Sequence, residues 1–289
     1  VKQLAYLKRQ HASHWVGDGF PVRSIFSYND LAGALSPFLL MDYGGPTRFE
    51  PTNERRGVGA HPHRGFETVT IVYDGEVEHK DSAGGGGRIG PGEVQWMTAA
   101  SGVVHQEYHG ADFARTGGPF EMVQLWVNLA AKNKMAPPRY QTLTNAAIPR
   151  VDVPGGAVRV IAGKQGEAKG PALTFSPMNV LDVTLGAGHS TVVEAPGGWT
   201  AALLVLRGGL DLGRETAGEG DFAIFERQGA GLALTATKDA RLLVLAGEPI
   251  DEPIAAYGPF VMNTRAEIHQ AIIDFNAGRM GRIVEEVGA

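Results

Sequence analysis

Apolar and polar positions along this chain fall mostly into short alternating runs closed by turn dipeptides, the period of half-buried strands rather than helices. Residues 68–73 are β-branched and aromatic and end at Asp74-Gly75, a hairpin signal, after which Val77 to His79 continue on the far side. A further strand over 94–97 follows the turn dipeptide Pro91-Gly92. Residues 36–43 read as a buried strand bounded by Pro37 and by Gly44-Gly45-Pro46. Residues 120–129 alternate with Met122, Gln124, Trp126 and Asn128 on one face, though the pattern does not say which face looks inward. Helical spacing emerges near the end, over 265–277. Thr264 is its expected N-cap with Glu267 as capping-box partner, Ile268, Ile272 and Phe275 its buried stripe, and Asn276-Ala277-Gly278 its stop; His269 lies on the exposed side.

The strand pattern repeats. Residues 203–209 echo 70–75, and Gly218-Glu219-Gly220-Asp221 echoes Gly90-Pro91-Gly92-Glu93. With 289 residues, two domains are expected. The predicted division is 1–131, a linker over 132–145 marked by Pro137-Pro138, and 146–289 carrying the helix. The 40 glycines and 17 prolines are spread throughout, as many short strands and turns require. This is an all-β chain.

Charge and composition then narrow the function. The net charge of −5 comes from interspersed residues with no Lys/Arg block, so the footprint of a nucleic-acid binder is missing. No apolar run approaches the length of a membrane span, and the first residues show no signal-peptide pattern, so a cytoplasmic protein is expected. With no cysteine, disulfides, thiolate ligands and cysteine nucleophiles are excluded. Gly84-Gly85-Gly86-Gly87 is not a phosphate loop, because no Lys-Ser/Thr follows and its flanks are strands; it reads as a hairpin loop.

The candidate chemistry lies in two triplets, His61-Pro62-His63 and His105-Gln106-Glu107. On a strand, residues i and i+2 share a face, so each triplet aims two donors in one direction. One such pair is more often structural; two pairs in a glycine-rich β context point to a metal. Three imidazoles and a carboxylate form a set open to Fe, Mn, Co, Ni, Cu or Zn, with coordination positions left for substrate. Self-alignment of the repeat puts Glu194, Pro196, Ala233 and Thr235 in the corresponding slots of the second half, so that half is expected to be metal-free; His189 reads as a turn residue.

The run His61-Pro62-His63-Arg64-Gly65-Phe66-Glu67, with Gln95-Trp96-Met97-Thr98-Ala99 and Gly102-Val103-Val104-His105-Gln106-Glu107, resembles the pirin family of the cupin superfamily over the whole chain. The resemblance implies a bicupin: two tandem jelly-roll (double-stranded β-helix) barrels, the first holding one divalent metal, Fe(II) foremost. It places the ligands on His61, His63, His105 and Glu107. A common cupin also uses a glutamate four positions after its second histidine, here Glu67; the pirin pattern moves the carboxylate to Glu107 and leaves Glu67 as a pocket-lining residue or reserve ligand. Phe38, Met41 and Tyr43 would then floor the barrel, with plain core the first reading for Phe38. Two activities follow from the resemblance. One is a quercetinase-like dioxygenase that opens a flavonol ring with O₂, with Glu107 as catalytic base; the other is a metal- or redox-sensing module that binds a transcription factor or metabolic enzyme. A monomer is expected.

Overall fold

The computed structural model describes residues 1–9 and 11–283. Its regular structure is almost all antiparallel β, and the chain resolves into two compact units. The larger comprises Ala12–Leu31, Phe38–Asn145 and Ile250–Ala289; the smaller comprises Val1–His11, Ala32–Pro37 and Ala146–Pro249. Both chain ends therefore leave the half to which sequence order assigned them. The physical reason is strand pairing at one end and a buried ion pair at the other.

In the larger unit a seven-stranded sheet runs in the order Arg139–Leu143, Val94–Thr98, Phe66–Asp74, Gly118–Asn128, Phe38–Phe49, Phe20–Phe26 and Ala12–Val16. A four-stranded sheet, Gly57–His63, Val103–His109, Val77–Asp81 and Gly86–Ile89, faces it. The first strand of the seven-stranded order falls in the expected linker 132–145. Arg139–Leu143 pairs residue by residue with Val94–Thr98, so that part of the linker is barrel wall. Lys134 is also inside: its ammonium donates to Gly65 O, Asn128 Oδ1 and Val261 O at 2.7–2.9 Å. A buried ammonium needs all three acceptors, and these carbonyls supply them.

The C-terminal segment of the same unit is fastened to the His61–His63 strand. Arg64 N donates to Pro259 O and Val261 N to Arg64 O, and the Arg64 guanidinium meets Asp274 at 2.7 Å in a nearly dry pair. The helix Arg265–Asn276 carries the expected capping box at Thr264 and Glu267. It buries Ile268 and Ala271, but Phe275 is 37% exposed and Ile272 only partly covered, so the apolar stripe is narrower than its spacing predicts.

The smaller unit is a nine-stranded sheet system built on the long strands Thr200–Asp211 and Leu232–Gly247. Leu4–Lys8 closes one edge by pairing with Phe222–Phe225, which is why the first residues belong here. Its interior is aliphatic, with Leu181, Val183, Leu203, Val205, Leu242 and Val244 fully buried. Glu194 sits at its surface, accepting from Gly166 N and near Lys164, and His189 is an exposed turn residue. No helix among the described residues is long and apolar enough to cross a membrane.

Candidate metal centre

The site stands on the inner face of the four-stranded sheet. His61 lies directly opposite His105, and the ladder slips by one residue between His105 and Glu107, so Glu107 faces Val58. On the other side of the same strand, Glu107 faces His79 and His105 faces Asp81. Because alternate residues share a face, these registers bring all six polar side chains to one side of the sheet.

The rings of His61, His63 and His105 lie 4.3–4.9 Å apart, centroid to centroid. Each can offer one nitrogen to a common point, the donor atoms lying within 4.8 Å of one another. His63 Nδ1 and His105 Nε2 are buried without a hydrogen-bond partner. Orphaned ring nitrogens of this kind cost free energy in a dry interior, and a cation satisfies them. His61, partly exposed, uses Nδ1 toward Gly59 O at 2.8 Å and keeps Nε2 free. Burial holds His63 and His105 well below the usual imidazole range, helped by neighbouring histidines and opposed at His63 by the Pro259 carbonyl. Both are thus neutral, the state a metal requires. The residues fit a divalent transition ion.

Glu107 borders the same cavity but does not complete a single four-membered cluster; its carboxylate groups instead with His105 and His79. One oxygen, Oε1, accepts from Gln95 Nε2 at 2.5 Å and lies 3.2 Å from Thr70 Oγ1. Gln95 Oε1 in turn accepts from Tyr140 O–H, whose ring stacks on His79. Burial, with the Glu107 and Asp81 charges adding, pushes the Tyr140 hydroxyl up to about 12, so it is a permanent donor. Glu107 is anchored from the opposed sheet through Oε1, which leaves Oε2 for the cavity.

That cavity measures about 220 Å³ and is lined by His61, His63, Glu107, Trp126, Gln124 and Met122, with Leu40, Asp42 and apolar side chains completing it. The inward face of Gly118–Asn128 is therefore the one bearing Met122, Gln124 and Trp126. Leu40 and Asp42, rather than Met41 and Tyr43, reach the pocket; Tyr43 turns to the opposite face, where its hydroxyl meets Glu121. Glu67 also departs from expectation. Three positions from inward-facing Thr70, it points through the other face of the sheet and takes a hydrogen bond from Thr98 at 2.6 Å. Its carboxyl is fully buried and pushed up to about 7 by that burial. It neither lines the cavity nor joins the donors. His79 and Asp81 were not singled out in the sequence, although His79-Lys80-Asp81 repeats the same i, i+2 spacing on the adjacent strand.

Comparison with known proteins agrees with this architecture. The family described as Pirin matches residues 19–127, and that described as Pirin C-terminal cupin domain matches residues 180–281. A Pseudomonas aeruginosa protein named "Putative quercetin 2,3-dioxygenase" is 62% identical over 271 residues, covering 93% of this chain and 95% of the relative. A tomato (Solanum lycopersicum) pirin-like protein is 38% identical over 92% of this chain and 88% of its own length. A crystal structure of quercetin 2,3-dioxygenase from Acinetobacter baumannii superposes with a TM-score of 0.94 at 51% identity, covering 98% of this chain and 99% of that one.

Proposed function

The chain belongs to the pirin family of two-barrel cupins, and from that premise we propose that it is a metal-dependent dioxygenase acting on flavonol-type aromatics with O₂. One divalent ion per chain, Fe(II) first among the candidates, would be held by His61, His63 and His105 with Glu107 as fourth donor. The observation that carries the reading is the pair of orphaned nitrogens on His63 and His105, grouped with His61 beside a cavity that His61, His63 and the Glu107 carboxylate line. The relatives named for quercetin dioxygenation supply the substrate class.

When bound, the metal supplies Lewis-acid stabilisation of an anionic substrate oxygen and the redox partner for O₂. The chain's own residues do the rest. Glu107 Oε2 is the acceptor for the proton of a substrate hydroxyl, with Oε1 held still by Gln95. Trp126, stacked at 4.3 Å on Phe66 and edge-on to His63, walls the cavity with a flat aromatic surface suited to a planar ring. Leu40, Met122 and Val22, from the same sheet, extend that wall with apolar side chains, and Gln124 offers a polar contact.

The cavity also supports a second reading. At about 220 Å³ it falls below the roughly 300–1,000 Å³ typical of pockets that enclose a drug-sized ligand. A flavonol must then enter by its chelating edge with much of its body outside, or the site serves a metal-sensing module that binds a protein. Oxygen uptake and carbon monoxide release by the iron-loaded protein with a panel of flavonols separate the two. Turnover that is lost in His63→Ala and scales with bound metal supports the enzyme. Fully loaded protein that consumes no O₂ with any flavonol moves the function to the binding module.

A further inference from the structure

The group that fixes His105 is a second histidine. His79 is buried between Asp81 and His105: its Nε2 lies 3.3 Å from Asp81 Oδ2, and its Nδ1 lies 3.3 Å from His105 Nδ1. Asp81 is itself locked, Oδ1 accepting from the backbone N–H groups of Ala83 and Gly85. A carboxylate is an acceptor only, so the contact with Asp81 requires the His79 proton on Nε2. In the neutral ring that leaves a lone pair on His79 Nδ1, which can only accept. The proton between the two rings must then belong to His105 Nδ1, and the lone pair of His105 falls on Nε2. This is the nitrogen buried with no partner among the converging histidines. With the His79 proton on Nδ1 instead, its Nε2 lone pair would confront the Asp81 carboxylate, and His105 would carry its hydrogen on the metal-facing atom.

We propose that Asp81 and His79 form a relay that sets the tautomer and ring orientation of His105, presenting Nε2 as a metal donor. The relay rests on the metal reading of the site and deepens it; both members are positioning residues. Tyr140 holds the His79 plane by stacking at 4.9 Å and 19°. The glycine run has a function in this arrangement. A Cβ on Gly85 would lie 2.4 Å from Asp81 Oδ2 and 2.6 Å from Tyr140 Cβ, so only glycine lets the hairpin close over both.

The tautomer can be read in metal-free protein, from two-bond ¹H–¹⁵N correlations of the ¹⁵N-labelled full chain, with His105 assigned by its loss in His105→Gln. The expected proton position is Nδ1. In Asp81→Asn the side-chain oxygen keeps its bonds to Ala83 and Gly85 and its NH₂ turns to His79. The relay then reverses, and His105 carries its proton on Nε2. Ni²⁺ affinity, measured by competition with a chromogenic chelator, should fall about ten- to hundredfold, as loss of an outer hydrogen-bond partner typically produces. His79→Phe, which keeps the stack on Tyr140 but removes the acceptor, should lose Ni²⁺ affinity by a similar factor. Wild-type His105 protonated on Nε2 overturns the relay, as does Asp81→Asn with tautomer and affinity unchanged. Should Asp81→Asn fail to fold, the wild-type spectrum and His79→Phe decide. Wild-type protein that binds no Ni²⁺ while His105 shows the expected tautomer counts against the metal reading alone.

Discussion

Glu107→Gln is the substitution that asks most of this site, because the amide has to choose between two partners. Glu107 Oε1 is occupied by the Gln95 amide donor, and Oε2 is the oxygen left for the cavity. A glutamine can keep the Gln95 bond with its carbonyl oxygen, and then its NH₂ faces the metal position with no lone pair to give. Flipped, it offers its carbonyl to the metal but sets NH₂ against the NH₂ of Gln95, leaving buried donors unsatisfied at about 1–3 kcal/mol. At about 1.4 kcal/mol per tenfold, the second arrangement alone lowers metal affinity roughly 5- to 150-fold. Replacing an anionic donor by a neutral one adds to that loss. Glu107→Gln should therefore lose metal as well as rate, contrary to what a simple base-for-amide exchange implies. The assay is chelator competition on wild type, Glu107→Gln, and the double variant Gln95→Glu with Glu107→Gln. In the double variant the carboxylate at 95 accepts the amide NH₂ and still accepts from Tyr140, turning the carbonyl at 107 back to the metal. Affinity should recover relative to the single variant while turnover stays low. A single variant that binds metal like wild type, or a double variant that recovers nothing, would refute the assignment of Oε1 to Gln95.

Three further outcomes follow from named contacts. Lys134→Met strips the ammonium donor from Gly65 O and Val261 O, while Asn128 Oδ1 keeps the Leu129 N–H; at about 1–3 kcal/mol per unsatisfied group, thermal unfolding should begin several degrees lower, and an unchanged midpoint would contradict the clamp. His63→Ala removes one converging donor, so metal content of the purified protein should drop from about one per chain toward zero; retention of a full equivalent would mean that other residues hold it. Glu67, raised by burial from 4.5 to about 7, gives stability that is fully present below pH 4.5 and lost as pH rises through about 7. That rise corresponds to about 3 kcal/mol, so Glu67→Gln should gain on wild type in urea unfolding between about pH 5 and pH 8, whereas a pH-independent difference would show that the carboxyl is not held protonated.

The grouping of the three histidines was legible because the signal is local. A strand guarantees that His61 with His63, and His105 with Glu107, look the same way, and no tertiary knowledge is needed to see it. The capping box of the helix is equally local. What the pattern could not show depends on parity or on distance. Glu67 and Thr70 lie on one strand, and only the partner strands decide that the odd position turns away from the cavity. Met41 and Tyr43 fail for the same reason, since the strand's inward positions are Leu40 and Asp42. Lys134 and Arg139–Leu143 look like linker because a polar, proline-marked stretch is ambiguous until its pairing is known. The return of residues 250–283 to the first barrel joins Arg64 to Asp274 across 210 positions, beyond the reach of any window.

The two units share a strand grammar, yet only one presents a cluster of metal-competent side chains among the described residues. The difference lies as much in the support as in the donors. In the larger unit three of the four candidate donors are steadied by groups on other elements, while His61 is held by Gly59 of its own strand. Asp81 and His79 hold His105, Gln95 and Thr70 hold Glu107, and Pro259 approaches His63. These partners come from three places: the neighbouring strand, the opposed sheet and the returning C-terminal segment. Inward positions of the smaller unit carry leucine and valine instead, which pack without directional partners. Placing two histidines two residues apart in that barrel would thus supply donor atoms with no group to set their tautomers or hold their rings. The expected result is weak, heterogeneous metal binding, because the His-x-His spacing supplies the direction of two ligands and leaves their precision to residues elsewhere in the fold.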